Sequence, residues 1–83
     1  MSDNIITMKS VHDTQKALRA AVQLFTKGRF KESTQIIDAV LALHPNHVFA
    51  IQLKGMLVFE LGDPQKAAHF FEKALSINPS DGA

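Results

Sequence analysis

Few side chains in this sequence are able to do chemistry, and their spacing does not assemble a reactive site. His44 and His47 lie three residues apart around a proline, but a zinc site needs three or four ligands. Ser10, His12 and Asp13 are the residue types of a hydrolytic triad, yet they are close neighbours at one predicted helix start, whereas a triad is assembled across a cleft. We therefore expect no catalytic residue, no metal and no cofactor, and we predict that this chain is not an enzyme.

The composition excludes several further classes of site. The 83 residues contain no cysteine, so disulfides, thiol nucleophiles and thiolate metal ligands are excluded. Gly28 and Gly62 stand alone and not in a phosphate-binding loop. No apolar run reaches the roughly 18–20 residues of a membrane span, and the first residues lack the pattern of a secretory signal. We expect one small cytoplasmic domain with a thin core.

Charge is nearly balanced in total but not along the chain. The formal net charge is +1, which does not predict binding to nucleic acid or to a membrane. Residues 1–31 contain six basic and two acidic side chains, whereas residues 32–83 contain three basic and six acidic ones. This asymmetry is either ordinary solvated surface or a dipole that steers a partner or a second copy.

The sequence repeats itself with a period of 34 residues. Shifted by 34 positions, it aligns with itself without a gap: Phe25 falls on Phe59, Gly28 on Gly62 and Pro45 on Pro79. Substitutions between the two copies mostly conserve residue type. A fixed period of this length is the signature of a repeat architecture. We therefore divide the chain into a leader, 1–13, and two units, 14–47 and 48–81.

Each unit is predicted to form two helices, because apolar residues recur at helical spacing in four segments. Gly28 and Gly62 are expected to end the first helix of each unit, since glycine adopts the left-handed C-terminal turn without strain. Asn46 is the predicted N-cap of the third helix, and Asp63 that of the fourth. The expected helices are Thr14–Lys27, Lys31–Leu43, His47–Leu61 and a last one from Pro64 to the Asn78-Pro79 stop.

This pattern resembles the tetratricopeptide repeat family over about 68 of the 83 residues. The resemblance implies small residues where the two helices of a unit cross, which here are Ala21 and Ser33, then Gly55 and Ala67. The second unit is close to the family pattern. The first unit is looser, with departures from the pattern at Ala17 and Val40, and Lys54 is a departure in the second unit. The implied fold is all-α, with two helix-turn-helix units stacked as part of an α-solenoid.

The family fold implies that the first helix of each unit lines a concave groove. Arg19 is the only basic residue in the groove lining, and Leu53 occupies the position at which family members that bind a peptide carboxylate have Asn. We therefore do not expect carboxylate recognition. A mostly apolar groove suits an amphipathic helix of another protein. Phe25 and Phe59 are alternatively core residues. The predicted groove residues are Leu18, Arg19, Val22, Phe25, Phe49, Gln52, Leu53 and Met56.

The last helix has no polar helix after it to cover its outer side. Phe71 and Leu75 are expected there, and an uncovered apolar patch usually marks an interface. Three explanations stay open: the chain is the first part of a longer array, it forms a homodimer, or a partner protein covers this end. The leader, with Ile5, Ile6 and Met8, either frays in solvent, folds into the groove or packs on the first helix.

We therefore predict an all-α protein–protein interaction module, an adaptor or chaperone that holds a helical segment of a partner. In size and groove character it is similar to the small chaperones of type III secretion. The alternative is a self-association module that acts through the uncapped last helix. We expect another protein as the partner, with neither nucleic acid nor membrane.

Overall fold

Four α-helices joined by short turns make up residues 11–77, the part of the chain that the computed structural model describes. They are α1 (Val11–Thr26), α2 (Phe30–Leu43), α3 (Val48–Glu60) and α4 (Pro64–Ile77). No strand occurs within this range. The expected fold class is confirmed, and each helix starts or ends within a few residues of its prediction. The apolar cluster of the leader (Ile5, Ile6 and Met8) lies outside the described residues.

Two boundaries differ from the sequence-based expectation. Helix α1 begins at Val11, so the leader assigned to residues 1–13 overlaps its first turn, and Asp13 lies inside the helix. The N-cap of α3 is His47 and not Asn46, because His47 has the extended backbone of a cap and its Nδ1 accepts a hydrogen bond of 3.2 Å from the Ala50 amide.

The turn inside each unit has the same geometry, as the 34-residue period requires. Gly28 and Gly62 have φ angles of +79° and +100°, in the left-handed region that glycine adopts without strain. In both turns the amide of the residue after the glycine donates to the carbonyl five residues earlier, at 2.9 Å. This bond satisfies a carbonyl that the end of the helix would otherwise leave without a partner.

The start of α4 follows its prediction. The Asp63 carboxylate accepts a hydrogen bond of 3.0 Å from the Lys66 amide, and Pro64 occupies the first helical position. Proline is well suited there because the missing amide hydrogen has no intrahelical partner in any case. The turn between the helices of the second unit is therefore fixed on both sides.

Small buried residues let the two helices of each unit pack closely. In the first unit the Ser33 hydroxyl donates a buried hydrogen bond of 2.7 Å to the Ala21 carbonyl, which joins α2 to α1. In the second unit Gly55 on α3 lies under Phe71 on α4: a Cβ atom on Gly55 would be 2.8 Å from Cε1 of that ring. Ala67 is also buried. The small residues expected at the crossings are thus in place.

The core that joins the two units is formed by α2 and α3. Ile37 and Val40 on α2 are fully buried, and Ala50, Leu53 and Leu57 on α3 belong to the same cluster. Helix α3 packs on α2 as well as on α4, so it needs apolar residues on nearly all sides, and its sequence provides them. It is the central element of the fold.

Lys54, which departs from the family pattern, lies at the seam between the units. Its ammonium forms an ion pair with Asp38 on α2 and lies 6.0 Å from the centre of the Phe70 ring on α4. The side chain is only 17% exposed, so its aliphatic part covers apolar surface while the charge reaches the rim. A lysine is accommodated here because two elements supply partners for the charge.

We predict that Gly62→Ala destabilises the fold by about 1–2 kcal/mol, since an alanine at this φ angle is strained although no atom lies in its way. Urea unfolding followed by circular dichroism measures the change. Gly62→Asn is the matched variant and should lose less, because asparagine tolerates the left-handed region. Equal midpoints for the wild type and Gly62→Ala would contradict the proposed turn strain.

Candidate functional site

An open cleft runs between α1 and the start of α3. Its volume is about 530 Å³, and α1 contributes five of its six lining residues. Val22 and Leu18 form its apolar floor, with Leu18 almost buried, and Phe49 forms the wall on α3. The lining residues are Gln15, Leu18, Arg19, Val22, Gln23 and Phe49.

An exposed apolar stripe on α3 continues the cleft. Phe49, Met56 and Phe59 are 47%, 42% and 56% exposed, and it is their grouping on one face, rather than the exposure of each, that is informative. At 100° per residue, the three positions fall within an arc of about 80° on one side of the helix. Gln52, one turn after Phe49, is half-buried between them. We call Phe49, Met56 and Phe59 the α3 stripe.

The stripe exists because α3 carries more apolar residues than its neighbours cover. Leu53 and Leu57 point into the core shared with α1 and α2, and Ile51 and Val58 are buried on other sides of the same helix. The apolar side chains that remain have no described element to pack against. Their exposure follows from the position of α3 in the middle of the fold.

The structure brings four of the eight predicted groove residues together in the cleft: Leu18, Arg19, Val22 and Phe49. Gln52 and Met56 lie further along α3, beside Phe49. Phe25 is half-buried against the core cluster, with its ring centre 5.4 Å from that of Phe30. Phe25 therefore acts at least partly as a core residue.

The assignment of Leu53 to the groove surface was wrong. Its side chain is 3% exposed and belongs to the core cluster between the units. A partner in the cleft cannot reach it. The equivalent position on α1 is the exposed Arg19, which suggested a surface residue. Helix α3, however, packs between α2 and α4, whereas α1 packs mainly on α2 among the described helices.

Sequence reasoning missed Gln23 as a cleft residue and gave too little weight to Phe59. Gln23 follows Arg19 by one helical turn on the same side of α1, so helical spacing alone could have placed it in the lining. Phe59 is the most exposed member of the stripe. Its signal was its position three residues after Met56.

Of the three histidines whose side chains the structure describes, His44 and His47 have structural roles, and His69 is exposed on α4. His47 caps α3, and His44 ends α2 with its Nε2 atom 3.4 Å from the hydroxyl of Thr14. Among the described residues, no group of three or more His, Asp, Glu or Cys side chains is placed to hold a metal ion.

The open side of α4 contrasts with its counterpart in the first unit. Ile37 is fully buried because α3 covers α2, whereas Phe71, 34 residues later, is 37% exposed even though it packs on Gly55. Leu75 is 58% exposed, and its counterpart Leu41 is half-buried. The same positions are thus covered in unit one and open in unit two.

The comparisons agree with this architecture. Four helices in two units of equal period define a tetratricopeptide-like, all-α helical repeat. The second of these units, residues 48–81, matches the model of the tetratricopeptide repeat family. No solved structure matches the chain. Repeats of this family generally mediate protein–protein interaction and are not enzymes. No helix in residues 11–77 is long and apolar enough to cross a membrane.

We predict that Leu53→Ala lowers the free energy of unfolding by about 2–5 kcal/mol, because it leaves a cavity between the units. Met56→Ala on the same helix should lose about 1 kcal/mol or less, since that side chain is 42% exposed. Chemical denaturation of both variants measures the difference. Similar losses at both positions would contradict this assignment of core and surface.

Proposed function

We propose that the chain holds an amphipathic helix of a partner protein in the cleft between α1 and α3. The observation that supports this most directly is the α3 stripe: three large apolar side chains lie exposed on one side of a helix, next to an open cleft. Apolar surface of this kind marks interaction sites. The role we propose is that of an adaptor or chaperone for a helical segment.

A helix fits this surface better than an extended peptide does. The described walls of the cleft are helices whose backbone amides and carbonyls bond within the helix, so no strand edge is open for β-augmentation. Recognition must then use side chains. Phe49, Met56 and Phe59 lie seven and three residues apart on one side of α3, and a helix with apolar anchors at i, i+3 and i+7 presents a single apolar side to pack along them.

A clamp for a C-terminal carboxylate has less support. Arg19 is the only base among the six residues that line the cleft, and no asparagine accompanies it. The position that would carry asparagine in such a clamp is Leu53, which is buried. Binding should therefore come mainly from burial of apolar anchors, with Phe49 and Met56 as the main contact residues.

We predict that Phe49→Ser with Met56→Ser weakens binding of a helical peptide by about tenfold or more. The probe is a fluorescent peptide of about four turns with leucine anchors at i, i+3 and i+7 and a glutamine-rich polar face. Fluorescence anisotropy gives the dissociation constant. The double variant should show a dissociation constant about tenfold or more above that of the wild type.

The matched control is Leu43→Ser with Leu61→Ser. These leucines are both 51% exposed and lie outside the cleft lining and the stripe, so the variant removes similar apolar surface elsewhere. Binding should persist in the control. Absence of binding to the wild type, or an equal loss in both double variants, would overturn the proposal.

Self-association through α4 is a second candidate, and the contrast between Ile37 and Phe71 favours it. A head-to-tail array of copies would have to bring the outer side of α1 onto α4. The α3 residues that cover α2 are Ala50, Leu53 and Leu57, and their counterparts on α1 are polar: Lys16, Arg19 and Gln23. We therefore propose that a second copy meets this face through its own α4, in a twofold pair.

We predict a weak dimer that Phe71→Ser with Leu75→Ser converts to a monomer, because the substitutions remove the exposed apolar surface from both sides of a twofold contact. Sedimentation equilibrium over a wide concentration range measures the mass. The Leu43→Ser/Leu61→Ser variant should still dimerise. A wild type that stays monomeric throughout, or that grows into longer oligomers, would rule out the twofold pair.

A further inference from the structure

Three exposed basic side chains lie on α1 and at its C-terminal end. Arg19 is part of the cleft lining, Lys16 precedes it on α1, and Lys27 follows the last helical residue, with its amide still bonded to the Gln23 carbonyl at 3.1 Å. Lys16 and Lys27 are eleven residues apart, which places them within about 20° of one another around the axis. We call Lys16, Arg19 and Lys27 the α1 basic row.

The ion pairs of Arg29 with Glu32 and of Lys54 with Asp38 do not involve the α1 basic row. No acidic side chain lines the cleft, where Arg19 is the only charged residue. The potential over this wall is therefore positive, and an apolar cleft beside it concentrates that field.

A solvated end of the repeat does not by itself account for this pattern. The register explains why polar residues occur on α1, since no preceding unit covers that side among the described residues. The register does not explain why the charged side chains are positive, because acidic side chains would keep the surface polar equally well. Asp13 is the acidic residue of α1 and lies in its first turn, whereas every charged residue after it, from Lys16 to Lys27, is basic.

We propose that the partner helix carries acidic side chains on the flank that faces α1. This inference rests on the proposed function of the cleft. With its apolar anchors on Val22, Phe49 and Met56, a helix lying in the cleft turns one polar flank toward Arg19 and the ends of the row. Glutamate on that flank meets Lys16, Arg19 and Lys27, while the opposite flank faces solvent.

An acidic helix suits this surface better than other anions do. The row has three charges. Phe49 is the aromatic residue that lines the cleft with Arg19, whereas Phe25 and Phe30, which flank Lys27 in the sequence, pack against the core cluster. Single-stranded nucleic acid is bound by basic residues interleaved with stacking aromatics. An anionic membrane would require the apolar anchors to project from a convex surface, whereas Val22 and Phe49 lie inside a cleft.

The test uses three fluorescent peptides with the same leucine anchors and glutamate, glutamine or lysine on one flank. Anisotropy is measured at low and at high salt. At low salt we expect the glutamate peptide to bind about tenfold more tightly than the glutamine peptide, and the lysine peptide most weakly. Above about 0.5 M salt the three affinities should converge, because exposed charges are screened there.

Reversing the row, with Lys16→Glu, Arg19→Glu and Lys27→Glu, should invert the order of the three peptides. The matched control reverses three exposed lysines on α2 and α4, which changes the net charge equally: Lys31→Glu, Lys66→Glu and Lys73→Glu. The control should keep the wild-type order. A neutral variant, with Lys16→Gln, Arg19→Gln and Lys27→Gln, should bind all three peptides with similar affinity. It replaces the charge-reversed variant in the test if that variant does not fold.

The outcomes separate this inference from the function on which it rests. If the wild type binds all three peptides equally and Phe49→Ser/Met56→Ser abolishes that binding, the inference of an acidic flank is wrong, whereas the proposed binding of a helix in the cleft is supported. If no peptide binds, both are wrong. An inversion in the α2 and α4 control would show a net-charge effect and overturn the inference. So would row-dependent binding to phosphatidylserine vesicles without preference for the glutamate peptide.

Discussion

Burial of α3 against both of its neighbours is the constraint on which this fold depends. Neither unit covers its own apolar surface, and the cluster of Ile37 and Val40 with Leu53 and Leu57 closes the gap between them. A helix in this position must be apolar on nearly all sides. The α3 stripe is a consequence of this composition. A helix with enough apolar residues to join two units also has apolar side chains that stay exposed beside the cleft. Stability and binding surface thus come from the same segment.

Most of the architecture followed from the sequence, because its signals are local. The left-handed glycines, the Asp63 cap with Pro64, and the 34-residue period each act within one unit, and each appears as expected. The errors arose where packing between units decides the outcome. Leu53 has the register of a groove residue but is buried by the preceding unit, and His47 replaces Asn46 as the cap because its ring reaches the Ala50 amide.

The two ends of the described repeat differ in chemistry. On α1 the outward positions are polar, with Lys16, Arg19 and Gln23 in the register of core residues of α3. On α4 the outward positions are apolar and partly open, as the exposure of Phe71 and Leu75 shows. Two surfaces are therefore available for association, the cleft and the α4 face. Because α3 separates them, both can be occupied at the same time.

This difference between the ends determines how such a chain can lengthen by duplication. A tandem copy of residues 48–81 would bring a second Ala50–Leu53–Leu57 face onto the open side of α4, the same kind of face that already covers α2. A copy of residues 14–47 placed there would instead bury Lys16 and Arg19 against Phe71 without partners. The second unit therefore carries a face that could cover the open side of α4, and the first unit does not.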